Sequence, residues 1–150
     1  MEAVRAVLII IAVIAKRKRK MEKKNKNMTS SLEDYLEAVF VLSQKSRSVR
    51  MTDIAEFLKV SKPSVNRAVN TLTQNGFLEH ITYGDIMLTP EGESYAANVL
   101  HRHKLIKRFL MDTLKVDEEN AENDACKMEH DISDASFEAI KAHIKKNKPE

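Results

Sequence analysis

The sequence predicts a mainly α-helical fold with one small β-hairpin, divided into an N-terminal and a C-terminal helical unit. Three observations carry that prediction. Apolar residues recur at helical spacing through most of residues 30–146. Glycine and proline number three each in 150 residues, which leaves little room for long loops. One stretch, "FLEHITYGDIMLT", has the form strand, Tyr83-Gly84-Asp85 turn, strand.

Composition sets the class. A chain of 150 residues with 43% hydrophobic and 31% charged residues can bury one or two small cores and is not a disordered chain. Its single cysteine excludes an intramolecular disulfide framework and fits a reducing, cytoplasmic setting. The net charge of +3 is misleading. Residues 1–28 hold nine Lys/Arg against two Glu, so residues 29–150 are net acidic at −4. The basic balance therefore says nothing by itself about nucleic acid.

The N-terminal extension, residues 1–28, is expected to lie outside the fold. "AVLIIIAVIA" at 6–15 is too short to span a bilayer. Its positive charge, "KRKRK", follows the apolar run, whereas a secretory signal has the charge first. Three readings stand: a natural start at Met21 or Met28, a short membrane anchor, or a nucleic-acid-binding arm. The first is expected, with no membrane partner and with the folded part beginning near Thr29.

The elements follow in order. "SSLEDYLEAVFVLSQ" opens on Ser30-x-x-Glu33, a capping box, and Leu32, Tyr35, Leu36, Val39 and Phe40 then form one apolar face. Asp34 and Glu37 point away from it. Thr52 is expected to cap a short helix over 53–58, with Ile54, Ala55 and Leu58 inward. Ser61 and Pro63 start a second helix, which runs to Asn75 and stops at Gly76. Two short helices joined tightly read as helix-turn-helix, and the hairpin after them reads as a wing. Thr89-Pro90-Glu91 begins a long helix to about Asp112, lined by Ala96, Val99, Leu100, Ile106, Phe109 and Leu110. Asp117 caps another helix, and Ser133 a last one ending near Lys146. These helical stripes have no large partner within the chain, which points to a homodimer.

Two sets of residues carry candidate chemistry. Residues 45–80 hold six Lys/Arg against three acids, a locally basic module that suits a DNA backbone. Its second helix would enter the major groove. Arg50, Thr52, Ser61, Lys62, Pro63, Ser64, Asn66 and Arg67, with Tyr83 on the wing, are the candidate DNA contacts. The second set is Asp34 and Glu37, then His103, then Cys126, Glu129 and His130. Within each helix the spacing puts these groups on one face. Carboxylates and imidazoles so placed on facing helices are how helical bundles hold metal ions. The plain alternative is a buried thiol beside solvated neighbours.

"SLEDYLEAVFVLS", "VRMTDIAEFLKVSKPSVNRAVNTL", "YGDIMLTPEG", "VLHRHKLIKRFL" and "DACKMEHDISD" together resemble the diphtheria-toxin-repressor (DtxR/MntR) family of metal-dependent transcriptional regulators, over about residues 30–138. The resemblance implies a winged helix-turn-helix DNA-binding domain at 29–92 and a helical metal-binding and dimerisation domain at 93–148. It implies a dimeric repressor of metal-uptake genes that binds an inverted-repeat operator, with Mn²⁺ or Fe²⁺ as corepressor and no catalytic activity. Asp34, Glu37, His103, Cys126, Glu129 and His130 fall on the family's metal positions. Asp34 matches manganese-responsive members and Cys126 iron-responsive ones, so this chain mixes the two. Lys107 stands at a position often acidic, and Glu122 at one that is His in iron sensors. Two rival readings remain: a winged-helix regulator that ignores metal, and a metallohydrolase with His103, Cys126 and His130 as ligands and Glu129 as base. The hydrolase lacks any recognisable oxyanion donors in the sequence.

Overall fold

The computed structural model describes residues 11–16, 19, 27–46, 48–81 and 84–147. Tyr83, and most of the N-terminal extension, lie outside the described residues. The chain runs α1 (Ser30–Lys45), β1 (Val49–Arg50), α2 (Met51–Leu58), α3 (Lys62–Gln74), β2 (Leu78–His80), β3 (Asp85–Leu88), α4 (Pro90–Asp112), α5 (Glu118–Asp131) and α6 (Asp134–Lys146). No helix among the described residues is long and apolar enough to cross a membrane.

Local chemistry explains the boundaries, with two corrections to the expected caps. Thr29, not Ser30, caps α1, its hydroxyl accepting from Leu32 N–H at 3.3 Å. Extended backbone at Thr29 suits that role, and Ser30 is already helical. Glu33 is thereby left for another task. Thr52 does not cap α2, which starts two residues earlier; Asp53 instead accepts from the Arg50 N–H at 2.8 Å. Lys59 ends α2 in the left-handed region, φ 54°, and this turns the chain sharply into α3. Ser61 caps α3, Asp117 caps α5 and Ser133 caps α6, each accepting from the N–H three residues on.

The hairpin is one strand richer than the sequence suggests. β1 pairs antiparallel with β3, Val49 opposite Ile86, giving the order β1-β3-β2. A two-residue strand is too short to show alternation, so it leaves no periodic signal. Gly92 lets α4 start against the wing: a β-carbon there would stand 1.9 Å from the Phe77 carbonyl oxygen. Thr89 fastens the same junction, donating from its hydroxyl to Gly76 O at 2.8 Å.

Two separate apolar clusters result. The larger joins α1, α2, α3, the sheet and the start of α4 around Leu36, Ile54, Leu72, Phe77 and Ile86. The smaller consists of Ile106, Leu110, Ala121, Ala125 and Phe137, from α4, α5 and α6. Among the described residues, only α4 contributes to both clusters. His103 lies between its two contributions, at the seam.

Candidate metal centre and nucleic-acid interface

Helical spacing turns one face of α5 toward the seam. Ala121 and Ala125 bury their small side chains against α4, and Cys126, Glu129 and His130 follow within one turn. From α1, Asp34 and Glu37 reach the same cleft, because the opposite stripe (Leu36, Val39) is fixed in the larger core. α4 adds His103.

Glu129 is the centre of this arrangement. Its side chain has no exposed surface. His103 Nδ1 lies 2.7 Å from Oε2, and His130 Nε2 lies 3.4 Å from Oε1. Neither carboxylate oxygen, however, receives a properly angled hydrogen bond. One donor atom each from Asp34, Cys126 and Glu129 lies within 4.8 Å of the others. His130 Nε2 is 3.0 Å from Asp34 Oδ1. Five of the six residues expected to hold an ion, Asp34, Glu37, His103, Cys126 and Glu129, line one cleft, and His130 stands at its border with Nε2 against Asp34 and Glu129.

The electrostatics are those of a site short of positive charge. Burial raises the Glu37 carboxyl from its usual 4.5 to about 7, with the charges of Glu129 and Asp34 adding to the effect. His103 is raised by its contact with Glu129. Burial works against the charged form of His130, but Glu33, Asp34 and Glu129 outweigh it and raise the imidazole. Burial, then the surrounding carboxylates, push the Cys126 thiol up.

These residues fit a divalent cation. A buried carboxylate without good hydrogen bonds is costly, and a cation is the group that relieves it. The donor set is oxygen and nitrogen with one thiol, and three helices supply it.

The roles of two residues, Glu33 and Tyr95, escaped the sequence reading. Glu33, assigned there to a cap, accepts from the Tyr95 hydroxyl at 2.5 Å and pairs through its other oxygen with His130 Nδ1. Its position four residues before Glu37, on the same face, was the available signal. Tyr95 had none. Lys107 fills the far end of the cleft, its ammonium 3.0 Å from Glu118 and 2.9 Å from Glu122. Those contacts raise the lysine, and Lys107 holds Glu122 down. Glu122 also meets His103 Nε2 at 3.0 Å.

The candidate DNA contacts are presented on one face of α3. Val65, Ala68, Val69 and Leu72 are buried, which leaves Lys62, Pro63, Asn66 and Arg67 exposed and Ser64 half-buried. Arg67 reaches back to the Ser64 hydroxyl at 3.5 Å, and Ser61 and Ser64 share a hydrogen bond of 2.9 Å. Thr52 is exposed on α2, and Arg50 stands 3.9 Å from Asp85 at the base of the wing.

Comparison with known proteins follows the same division. Residues 27–86 match the family model described as the iron dependent repressor N-terminal DNA binding domain. Residues 89–149 match the model described as the iron dependent repressor metal binding and dimerisation domain. The chain is 37% identical over 112 residues to the HTH-type transcriptional regulator MntR of Lysinibacillus sphaericus, covering 75% of this chain and 80% of that one. It is 34% identical over 122 residues to an HTH-type transcriptional regulator of Methanocaldococcus jannaschii, covering 81% of this chain and 98% of that one. The structure of the manganese regulator SloR aligns with a TM-score of 0.70 at 29% identity, over 79% of this chain and 55% of that one. The chain spans about half the length of that solved relative.

Proposed function

Since the chain belongs to the iron-dependent-repressor family of metal-dependent transcriptional regulators, we propose that it is a homodimeric repressor, switched on by Mn²⁺ or Fe²⁺, that acts in the cytoplasm on the operators of metal-uptake genes. Its family is one of regulators rather than enzymes. The DNA-binding domain is taken as residues 29–92 and the metal-binding and dimerisation domain as 93–148, with α4 running through both. One observation carries the reading. The donors of Asp34, Cys126 and Glu129 gather around a buried carboxylate and join α1 of the first domain to α5 of the second.

When bound, a divalent ion supplies the positive charge that offsets the mutual repulsion of these carboxylates. Asp34 and Glu37 would hold it from α1, Cys126, Glu129 and His130 from α5, and His103 from α4. The backbones of α1 and α5 are not closely packed, so side chains make this junction. Drawing Asp34 and Glu129 together therefore fixes how α3, seated on α1, is aimed relative to the dimerisation domain. In the dimer the two α3 helices are then set about one DNA turn apart, roughly 34 Å. Metal strengthens DNA binding only through its preference for that arrangement, and DNA must strengthen metal binding equally.

Mn²⁺ is the preferred ion. Asp34 is a hard oxygen donor, and the rest of the set is oxygen and nitrogen apart from the one thiol of Cys126. The test is binding of an inverted-repeat duplex after chelation and then with added Mn²⁺ or Fe²⁺, at fixed salt. Tight binding only with metal is expected. Equal affinity in both conditions would leave a winged-helix regulator indifferent to metal.

A further inference from the structure

We propose that Glu33, braced by Tyr95, is a positioning residue that holds His130 with Nε2 turned toward the cation site and Nδ1 turned away from it. The inference rests on the metal-centre reading above and adds two residues to it.

The geometry of the ring is the starting point. Nε2 of His130 lies 3.0 Å from Asp34 Oδ1 and 3.4 Å from Glu129 Oε1, both in the donor cluster. Nδ1, on the other edge of the ring, meets Glu33 Oε2. An imidazole offers a cation one nitrogen, and the partner of the other nitrogen decides which one that is. Glu33 is that partner. Its second oxygen is already engaged by the Tyr95 hydroxyl at 2.5 Å, so the carboxylate is held from both sides. It is also sheltered, its side chain being 16% exposed.

His130 therefore stands as a partition between two clefts. Asp34, Glu37 and Cys126 line one, while Glu33, Tyr95 and Arg102 line the other; Glu129 reaches both. Glu33 is thus no ligand in waiting. Its carboxylate lies across the ring from the donors and acts on them through His130.

The brace itself is anchored. The Tyr95 ring packs on Phe77 with centroids 5.2 Å apart, and Phe77 follows Gly76 just past the C-cap of α3. Without Glu33 the ring loses its outward acceptor and is free to turn or to place its hydrogen on Nε2, the atom the ion needs. Without the Tyr95 hydroxyl, Glu33 keeps its place on α1 but loses one of its two restraints. The expected order of damage is therefore Glu33→Ala, then Tyr95→Phe, then wild type.

The test uses the full chain and two readouts: Mn²⁺ affinity by calorimetry, and the ring nitrogen signals of His130 in ¹⁵N-histidine protein, metal-free and with diamagnetic Zn²⁺. With Zn²⁺ bound, wild type should ligate through Nε2 and carry its ring hydrogen on Nδ1. Glu33→Ala should lose about 10–100-fold in Mn²⁺ affinity, the range of an outer-shell partner, with an altered ring signal. Tyr95→Phe should lose less, and it keeps the contact with Phe77 should Glu33→Ala fail to fold. Mn²⁺ affinity and ring signals of both variants equal to wild type would overturn the brace alone. Wild-type Mn²⁺ affinity in His130→Ala would overturn the metal-centre reading, and the brace with it.

Discussion

Nδ1 of His103 stands 2.7 Å from Oε2 of Glu129, a carboxylate with no exposed side-chain surface. His130 approaches the other oxygen at 3.4 Å, so the acid is flanked by two imidazoles from different helices. Glu129 is thus the group that α4 and α5 share. Glu129→Ala should reduce Mn²⁺ affinity by more than the roughly 10–100-fold of an outer-shell loss. Metal-dependent DNA binding should vanish with it. Calorimetric titration checks the first, and a gel shift with and without Mn²⁺ the second; a metal-responsive variant would remove Glu129 from the centre.

Protons should compete with the ion. Glu37 titrates near 7 in the metal-free fold, and both imidazoles hold their protons above the ordinary histidine value. Mn²⁺ affinity should therefore fall as pH drops below about 7. Stability of the metal-free protein should move the other way. A raised folded value means that the folded state binds the extra protons, so this contribution is full below the unfolded values and lost as pH rises through the folded ones. The Glu37 share is lost between 4.5 and about 7, and the histidine share above 6.5. Thermal melts in chelator should give a Tm that declines from pH 5.5 to 8 relative to the same series in Mn²⁺. Parallel series would contradict the assigned charges.

Much of this was legible beforehand. The caps at Ser61, Thr89, Asp117 and Ser133 and the stripes of α3 and α4 are local patterns, and the structure places those helices where the patterns put them. The convergence of Asp34 with His130, 96 residues on, was expected from matching one-face spacings in separate helices and from the family resemblance. Glu33 was misread because a Glu three residues after a Ser satisfies the capping pattern, while its real partners are 62 and 97 residues away. Tyr95 resembles any half-buried helical aromatic. Strand β1 is two residues long and exists only through its pairing with β3. Long-range contacts between single side chains leave no periodic trace.

Ion preference should follow donor softness. Asp34→Met replaces a hard oxygen with a thioether and should shift activation toward Fe²⁺. Cys126→Glu adds a hard oxygen and should shift it toward Mn²⁺. Half-activation concentrations for operator binding, measured for each ion, decide both. Unchanged ratios would place these two side chains outside the coordination sphere.

The exposed face of α3 should read DNA. Arg67→Ala and Ser64→Ala should weaken operator binding while leaving Mn²⁺ binding and dimerisation intact. If Arg67 meets only phosphate, the loss should be equal across sequences, with a salt slope shallower by about 1. Arg67→Ala with unchanged affinity and slope would put another surface in the groove. Ser61→Ala, by contrast, removes the α3 cap and should cost about 1 kcal/mol of stability in a denaturant titration.

Lys107 acts as a tethered cation for Glu118 and Glu122. Removing it by Lys107→Ala should deprive Glu118, and Glu122 beside His103, of the lysine's charge. An additional, weaker divalent ion per subunit is the expected result in equilibrium dialysis. Unaltered stoichiometry would mean that solvent alone satisfies the two acids.

The smaller apolar cluster has one further consequence. Five buried residues, two of them alanines, make a thin core for the helices that carry Cys126, Glu129 and His130. Such a unit draws stability from a second copy, and pairing obeys mass action. Each subunit's ion site is then better formed when its neighbours are plentiful. The ion concentration at which the switch turns falls as the protein accumulates, so its own abundance becomes a second input beside the metal.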